Sequence, residues 1–129
     1  MKKIMLFLLS LLHLTGCASA PVKQAPSYRQ ITMDEAVVMM GQEQNYIILD
    51  VRRPDEFAEK HIPGAINVPN EAIGTEEIPE LPDKDQLILV YCRSGNRSKQ
   101  ASEKLVALGY TNIVEFGGIN DWPGETVSE

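Results

Sequence analysis

An apolar run that ends in a cysteine limits the folds open to this chain more than any other segment does. Residues 87–91 are apolar and favour a strand, and Cys92 follows them. A short polar loop comes next, and then residues 99–108, which favour a helix. In this order the thiol lies where the carboxyl end of a strand meets the amino end of a helix. Free backbone N–H groups and the positive end of the helix dipole favour a thiolate there.

The residues after the cysteine distinguish a reactive thiol from a buried structural one. A lone cysteine is more often a small core residue than a nucleophile. A core cysteine has no need of a glycine, a serine and two arginines within the next five positions, whereas reactive cysteines lie in electropositive loops. We therefore predict that Cys92 is the catalytic residue of an anion-binding loop. The predicted loop residues are Arg93, Ser94, Gly95, Asn96, Arg97 and Ser98.

The amino-terminal residues have the order of a lipoprotein signal peptide. Lys2 and Lys3 form a basic start, an apolar run too short to span a bilayer comfortably follows, and residues 14–17 read Leu-Thr-Gly-Cys. The last four residues resemble the lipobox of bacterial lipoproteins, in which cleavage precedes the cysteine and the new terminus is acylated. An ordinary secretory signal with an incidental cysteine is the alternative interpretation.

We predict four parts of the chain from these features. They are a signal peptide at 1–16, lipidation at Cys17, a flexible tether at 17–29 with prolines and serines, and a domain at 30–127. The protein is then expected in the cell envelope, held by an acyl chain such as palmitate, with its domain outside the cytoplasm. Ala18 follows the lipidated cysteine in place of an inner-membrane retention aspartate, which favours the outer membrane and the periplasm in a two-membrane bacterium.

The charge and cysteine content limit the partners of the domain. The chain has 18 acidic and 12 basic residues and a net charge of −6, and loss of the first two lysines leaves ten basic residues and −8. An acidic domain is a poor nucleic-acid binder, whereas Arg93, Arg97 and Lys99 near the thiol suit a small anion. With Cys17 acylated, Cys92 is the only free thiol, so neither an intramolecular disulfide nor a multi-cysteine metal site can form. We predict no cofactor and no metal.

Strand-like and helical segments alternate along the domain. Continuous apolar runs predict strands at 46–50, 87–91 and 113–116, with a short one near Val68. The predicted helices and turns are a helix opened by a Thr32–Glu35 capping box, a short helix at 54–59, broken helical turns at 71–81 and the helix at 99–108. This alternation predicts an α/β fold with a mostly parallel sheet, whose ligands bind beyond the carboxyl ends of the strands.

Three segments resemble the signatures of rhodanese domains. Residues 49–69 resemble the amino-terminal signature, residues 92–98 the active-site loop and residues 117–123 the carboxyl-terminal signature. The resemblance extends over residues 28–127. It implies a single-domain rhodanese with a five-stranded sheet, helices on both faces and a persulfide-forming cysteine.

The resemblance also implies a reaction. The Cys92 thiolate would attack the outer sulfur of a small anionic donor such as thiosulfate, and a thiol or cyanide would then take the sulfur from the persulfide. Loop N–H groups would stabilise the charge. The implied roles of the side chains are loop support for Arg97, donor binding for Arg93, and helix capping or contact with the persulfide for Ser98.

Two residues at the end of the strand at 46–50 are implied to support the site. Asp50 is expected to be mainly structural, because buried carboxylates usually accept hydrogen bonds from nearby donors. Arg52 is implied to assist substrate binding in some members of the family. His61 is interpreted as a packing residue rather than a base, and Trp122 as a cover for the core.

Three alternatives to this enzyme remain open from the sequence. Cysteine phosphatases and arsenate reductases have seven residues from the cysteine to the arginine, whereas Cys92 to Arg97 is six. The shorter loop favours a sulfur atom over a tetrahedral phosphate. A persulfide carrier and a non-catalytic rhodanese-fold binding lipoprotein are the others. The physiological donor and acceptor, the membrane, the protein partners and the oligomeric state cannot be read from the sequence.

Overall fold

Five parallel strands form one sheet in the structure, a computed structural model that describes residues 27–129. The strand order is β1-β5-β4-β2-β3. In chain order, the elements are β1 (Arg29–Gln30), α1 (Met33–Gln42), β2 (Tyr46–Asp50), α2 (Pro54–Glu59), β3 (Ile66–Asn67), a 3-10 turn (Asn70–Ala72), β4 (Leu87–Cys92), α3 (Asn96–Ala107), β5 (Ile113–Gly118) and a second 3-10 turn (Ile119–Asp121). The predicted α/β class is confirmed. The signal peptide at 1–16 and Cys17 lie outside the described residues.

Helices cover both faces of the sheet, which explains why β4 is apolar throughout. Ile88 and Val90 face one core cluster together with apolar residues of α3. Leu89 and Tyr91 face the other cluster, where they pack with residues of α1 and α2. Successive side chains of a strand point to opposite faces, so a strand covered on both sides needs an apolar residue at every position.

Two differences from the predicted elements arise where the local sequence is ambiguous. The strand β1 pairs with Val114 and Glu115 of β5, although its first residue, Arg29, belongs to the predicted tether. Two polar residues carry no periodic signal, so only the tertiary pairing defines this strand. Of the helical turns predicted at 71–81, one 3-10 turn forms, over Asn70–Ala72. Gly74 and Pro79 interrupt the rest. Within residues 27–129 no helix has both the length and the apolar character needed to cross a bilayer.

Candidate active site

Cys92 is the last residue of β4 and lies at the carboxyl edge of the sheet. Gly95 follows with φ +112°, a left-handed conformation that glycine adopts without strain, and α3 begins at the next residue, Asn96. The helix therefore starts three residues earlier than the predicted helix at 99–108. Residues 96–98, predicted as loop, form its first turn.

The sulfur of Cys92 receives a backbone donor at the start of this helix. The N–H of Gly95 donates to Sγ at 3.0 Å, and Oγ of Ser98 lies 3.4 Å from the same sulfur. Cys92 exposes only 1% of its surface. The aimed N–H and the amino end of α3 both favour negative charge on sulfur. The arrangement is therefore a sheltered sulfur with a backbone N–H aimed at it.

A buried carboxylate lies behind Ser98. Glu115 of β5 is 3% exposed, and its Oε1 accepts hydrogen bonds from Oγ of Ser98 at 2.6 Å and from N–H of Gly117 at 2.9 Å. Its Oε2 lies 3.5 Å from Nε2 of Gln30 in β1. Three neutral donors thus surround this acid, one of which also contacts the cysteine sulfur.

Arg97 forms an ion pair that joins α3 to α2. Its Nη1 and Nη2 donate to the two carboxylate oxygens of Glu56 at 2.6 and 3.1 Å. These hydrogen bonds lower the pKa of Glu56 to about 2 and raise the pKa of Arg97. The charge of Arg97 is thereby partly neutralised, while Arg93 and Lys99 are exposed. Among the described residues, the backbone N–H of Gly95 donates to the sulfur, whereas the arginine side chains make no hydrogen bond to it.

Asp50 and Arg52 form a second, fully buried pair beside the site. Nη2 of Arg52 donates to Oδ2 of Asp50 and to the carbonyl of Lys60, both at 2.7 Å. The guanidinium also lies over the ring of Tyr91, 5.8 Å from its centroid. Burial and the neighbouring carboxylate of Asp50 raise the pKa of Tyr91. With 0% and 3% exposure, Asp50 and Arg52 hold the end of β2 in place.

A pocket of about 250 Å³ opens beside the loop. Arg93 of the loop and Asn120 line it, together with charged residues of α2 and of the chain around α2. Its charged lining has four basic residues and three acidic ones: Arg52, Arg53, Lys60, Arg93, Asp55, Glu56 and Glu59. The mixed charge provides contacts for an anion without attracting polyanions strongly.

Close backbone packing supports the loop from the side of β5. The carbonyl of Arg93 accepts the N–H of Asn120 at 3.2 Å. A Cβ added to Gly118 would lie 2.0 Å from that carbonyl oxygen. Only glycine permits this close approach, which explains why position 118 of the Gly117-Gly118 pair is a glycine. The other, Gly117, has φ +96°.

The structure brings Cys92, Gly95 and Ser98 into direct contact and places Arg97 on the adjoining ion pair. Ser94 and Asn96 are exposed. Asp50 and Arg52 hydrogen-bond to each other, and Arg52 lines the same pocket as Arg93 of the loop.

Two acids, Glu56 and Glu115, were missed by reasoning from the sequence. A charged residue inside the apolar run of β5 was the available signal for Glu115. The available signal for Glu56 was its place in the segment at 49–69. Neither signal indicates which residue the acid contacts in the folded protein. Within residues 27–129 no cluster of side chains suited to a metal ion is found.

Comparison with known proteins identifies the family of this chain. A profile of the family described as Rhodanese-like domain matches residues 32–125. The chain belongs to the rhodanese family. Thiosulfate sulfurtransferase PspE of Escherichia coli (strain K12) is 38% identical to this rhodanese chain over 73 residues, which cover 57% of the chain and 70% of PspE.

Two further similarities describe the rhodanese domain. A solved structure titled "rhodanese with anions from E. coli" is 36% identical, has a TM-score of 0.59 and matches 65% of this chain and 99% of its own. The putative sulfur carrier protein YrkF of Bacillus subtilis (strain 168) is 28% identical over 105 residues, which cover 81% of this chain and 56% of YrkF. The chain thus spans little more than half the length of that relative.

Proposed function

We propose that this rhodanese domain is a sulfurtransferase that moves a sulfane sulfur from thiosulfate or a similar anion to a thiol or cyanide, through a persulfide on Cys92. The observation that carries the proposal is the N–H of Gly95, 3.0 Å from Sγ at the amino end of α3. A charge-assisted donor at that position stabilises both a thiolate and a persulfide anion. The similarity to a thiosulfate sulfurtransferase supports the same reaction.

The two half-reactions balance without an added oxidant or reductant. The Cys92 thiolate attacks the outer sulfur of thiosulfate, a new S–S bond forms, and sulfite leaves with the electron pair of the broken S–S bond. An acceptor thiolate or cyanide then attacks the outer sulfur of the persulfide, and Cys92 leaves as thiolate. The same backbone donor stabilises sulfur charge in both steps, and a donor of this kind contributes on the order of 3 kcal/mol in other enzymes.

Access to the sulfur favours small substrates. Because Cys92 exposes 1% of its surface, a narrow anion reaches Sγ more easily than a bulky one. The Arg93 side chain lines the neighbouring pocket and is exposed, so it is placed to meet an approaching anion. The six-residue spacing from Cys92 to Arg97 leaves less room for a tetrahedral phosphate than a seven-residue loop does.

Mass spectrometry of the protein after incubation with thiosulfate tests the proposal. We expect one added sulfur atom on Cys92 and its removal by cyanide with formation of thiocyanate. Cys92→Ser should show neither, and an aryl phosphate should give no turnover. Turnover of the phosphate ester, or equal thiocyanate formation by wild type and Cys92→Ser, would contradict the proposal.

A persulfide carrier is the second candidate function, and the similarity to a putative sulfur carrier supports it. A carrier and an enzyme share the Cys92 persulfide but differ in its fate. Turnover with excess thiosulfate and cyanide distinguishes them. Many cycles per protein support the enzyme, whereas one cycle with a long-lived persulfide supports the carrier. A domain that never forms the persulfide would be the non-catalytic binding lipoprotein.

We also propose that residues 1–16 are a lipoprotein signal peptide and that Cys17 anchors the domain to the membrane of the cell envelope. The basic, apolar and Leu-Thr-Gly-Cys segments support this assignment. Labelling of growing cells with an alkyne-bearing palmitate tests it. We expect label in the wild type and none in Cys17→Ser, whereas equal labelling of the two would contradict the assignment.

A further inference from the structure

Glu115 is a buried acid to which the sulfur-transfer steps above give no role. It lies within the otherwise apolar β5, with 3% exposure, and contacts Oγ of Ser98 at 2.6 Å. That hydroxyl lies 3.4 Å from Sγ of Cys92. The three side chains therefore form a continuous chain of contacts from the reactive sulfur to a carboxylate.

The hydroxyl of Ser98 has more acceptors around it than it has protons. Besides Glu115, its oxygen lies 2.9 Å from the carbonyl of Gly95 and 3.4 Å from the carbonyl of Gly117. A hydroxyl has one proton to donate. When Glu115 is ionised and Cys92 is a thiolate, Ser98 cannot donate to both anions. One of the two must hold a proton for both contacts to be satisfied.

Two proton arrangements satisfy the three groups. In the first, the thiol of Cys92 donates to Oγ of Ser98, which donates to the Glu115 carboxylate. In the second, the protonated Glu115 donates to Ser98, which donates to the Cys92 thiolate. Each arrangement carries one negative charge, and they differ by the shift of one proton along each of two hydrogen bonds.

We propose that Glu115 is a positioning residue that takes up the proton of the Cys92 thiol through Ser98. The S–H bond of Cys92 breaks as a new O–H bond forms on Ser98, and the original O–H proton of Ser98 moves to Oε1 of Glu115. The negative charge moves from the carboxylate to the sulfur, where the N–H of Gly95 stabilises it. This inference rests on the proposed function only in that Cys92 acts as a nucleophile.

Neutral donors surround the buried carboxylate of Glu115. Its hydrogen-bond partners within residues 27–129 are Ser98, Gly117 and Gln30, none of which is charged. Burial of an ionised carboxylate without a cationic partner is costly, and protonation removes that cost.

The residues Cys92, Ser98 and Glu115 form the proposed proton relay. Charged and titratable groups on the adjoining elements complete its environment. From α3, Arg97 faces Cys92, and Glu56 of α2 binds that guanidinium. Near β1, burial raises the pKa of Tyr28, and the charges of Glu103 and Glu115 raise it further. Tyr28 therefore stays neutral at every pH below the ordinary tyrosine pKa of 10.0. Arg97 stays charged throughout the same range, so it does not generate a titration of its own.

The pH dependence of alkylation tests the relay without any sulfur donor. In Glu115→Gln the amide oxygen can keep the two hydrogen bonds of Oε1, because the N–H of Gly117 requires an acceptor there. The amide cannot take up a proton, so Ser98 stays directed away from sulfur. We expect the midpoint of the pH profile for iodoacetamide alkylation of Cys92 in the full-length protein to rise by about one to two pH units.

The opposite result follows if Glu115 is an ionised bystander. Removal of its negative charge would then ease thiolate formation and lower the midpoint, and a purely structural acid would leave the midpoint unchanged. Either result overturns the proposal. Glu103→Gln, the same charge change at an exposed site on α3, should leave the profile unchanged. In a Ser98→Ala background, Glu115→Gln should no longer raise the midpoint, because the connection is already broken.

Infrared spectroscopy of the wild type keeps the inference testable if Glu115→Gln fails to fold. Just above the alkylation midpoint we expect the C=O stretching band of a neutral carboxylic acid, since exposed carboxylates are ionised there. Absence of the band overturns the proposal. Alkylation and infrared spectra need no sulfur donor, so a failure of the relay and a failure of sulfur transfer are separately visible.

Discussion

The carboxylate of Glu56 in α2 accepts hydrogen bonds from both terminal nitrogens of Arg97 in α3, at 2.6 and 3.1 Å, although the residues are 41 positions apart. The helix α2 packs on one face of the sheet and α3 on the other. The pair therefore joins the two layers across the edge at which Cys92 lies. The side chains are 12% and 26% exposed, so solvent screens the pair only partly.

Loss of this pair should weaken both the fold and the loop. We expect Glu56→Gln to lower the free energy of unfolding by about 1–2 kcal/mol, because the two hydrogen bonds are charge-assisted and partly buried. Sulfur transfer should fall with it, since the first turn of α3 loses its support. Denaturant unfolding and thiocyanate assays measure the two effects.

A matched control is available one residue away. Asp55 pairs with Arg53 at 3.0 Å, but those side chains are 71% and 63% exposed. Asp55→Asn should leave the free energy of unfolding almost unchanged, because solvent screens an exposed pair. Equal effects of the two substitutions would show that the Glu56–Arg97 pair does not support the site.

The same pair predicts a stability change in acid. Arg97 lowers the pKa of Glu56 from 4.5 to about 2. A lowered folded-state pKa means that the stabilisation is complete above pH 4.5 and is lost as the pH falls toward 2. We expect the difference in unfolding free energy between wild type and Glu56→Gln to shrink across that interval. A difference that stays constant with pH would contradict the assigned ionisation.

Gly118 should tolerate no side chain. Its added Cβ would lie 2.0 Å from the Arg93 carbonyl oxygen, so Gly118→Ala must displace the loop or the end of β5. We expect a loss of about 1–3 kcal/mol and a marked loss of sulfur transfer. Gly41→Ala is the control, because open space surrounds that position in α1 and alanine favours helix. It should be neutral or slightly stabilising in thermal unfolding, and similar losses at the two glycines would refute the steric argument.

Asp50 should act on stability more than on chemistry. Asp50→Asn leaves the guanidinium of Arg52 buried without its anion, and breaking a buried pair typically costs about 3–5 kcal/mol. We expect a large drop in denaturant midpoint, while the protein that remains folded still forms the Cys92 persulfide. Full stability combined with loss of the persulfide would instead assign Asp50 to the reaction.

Much of the fold follows from short-range patterns. The run at 87–91 marks β4 because a strand covered on both faces is apolar at each position. The capping box of Thr32 and Glu35 marks the start of α1, and both of its hydrogen bonds are present. These signals involve residues at most a few positions apart, so they can be read along the chain. The start of α3 was misplaced because the left-handed Gly95 turns the chain straight into the helix.

The α/β class, the parallel sheet and the position of the thiol at a strand–helix junction can be read from the sequence, because each depends on local periodicity and turn chemistry. The groups that surround that thiol are set by tertiary packing. Glu115 accepts a hydrogen bond from Ser98, which is 17 positions away in the sequence. Glu56 accepts one from Arg97, which is 41 positions away. Strand order and register create these contacts, and side-chain identity alone does not specify which distant acid a buried hydroxyl or guanidinium will reach.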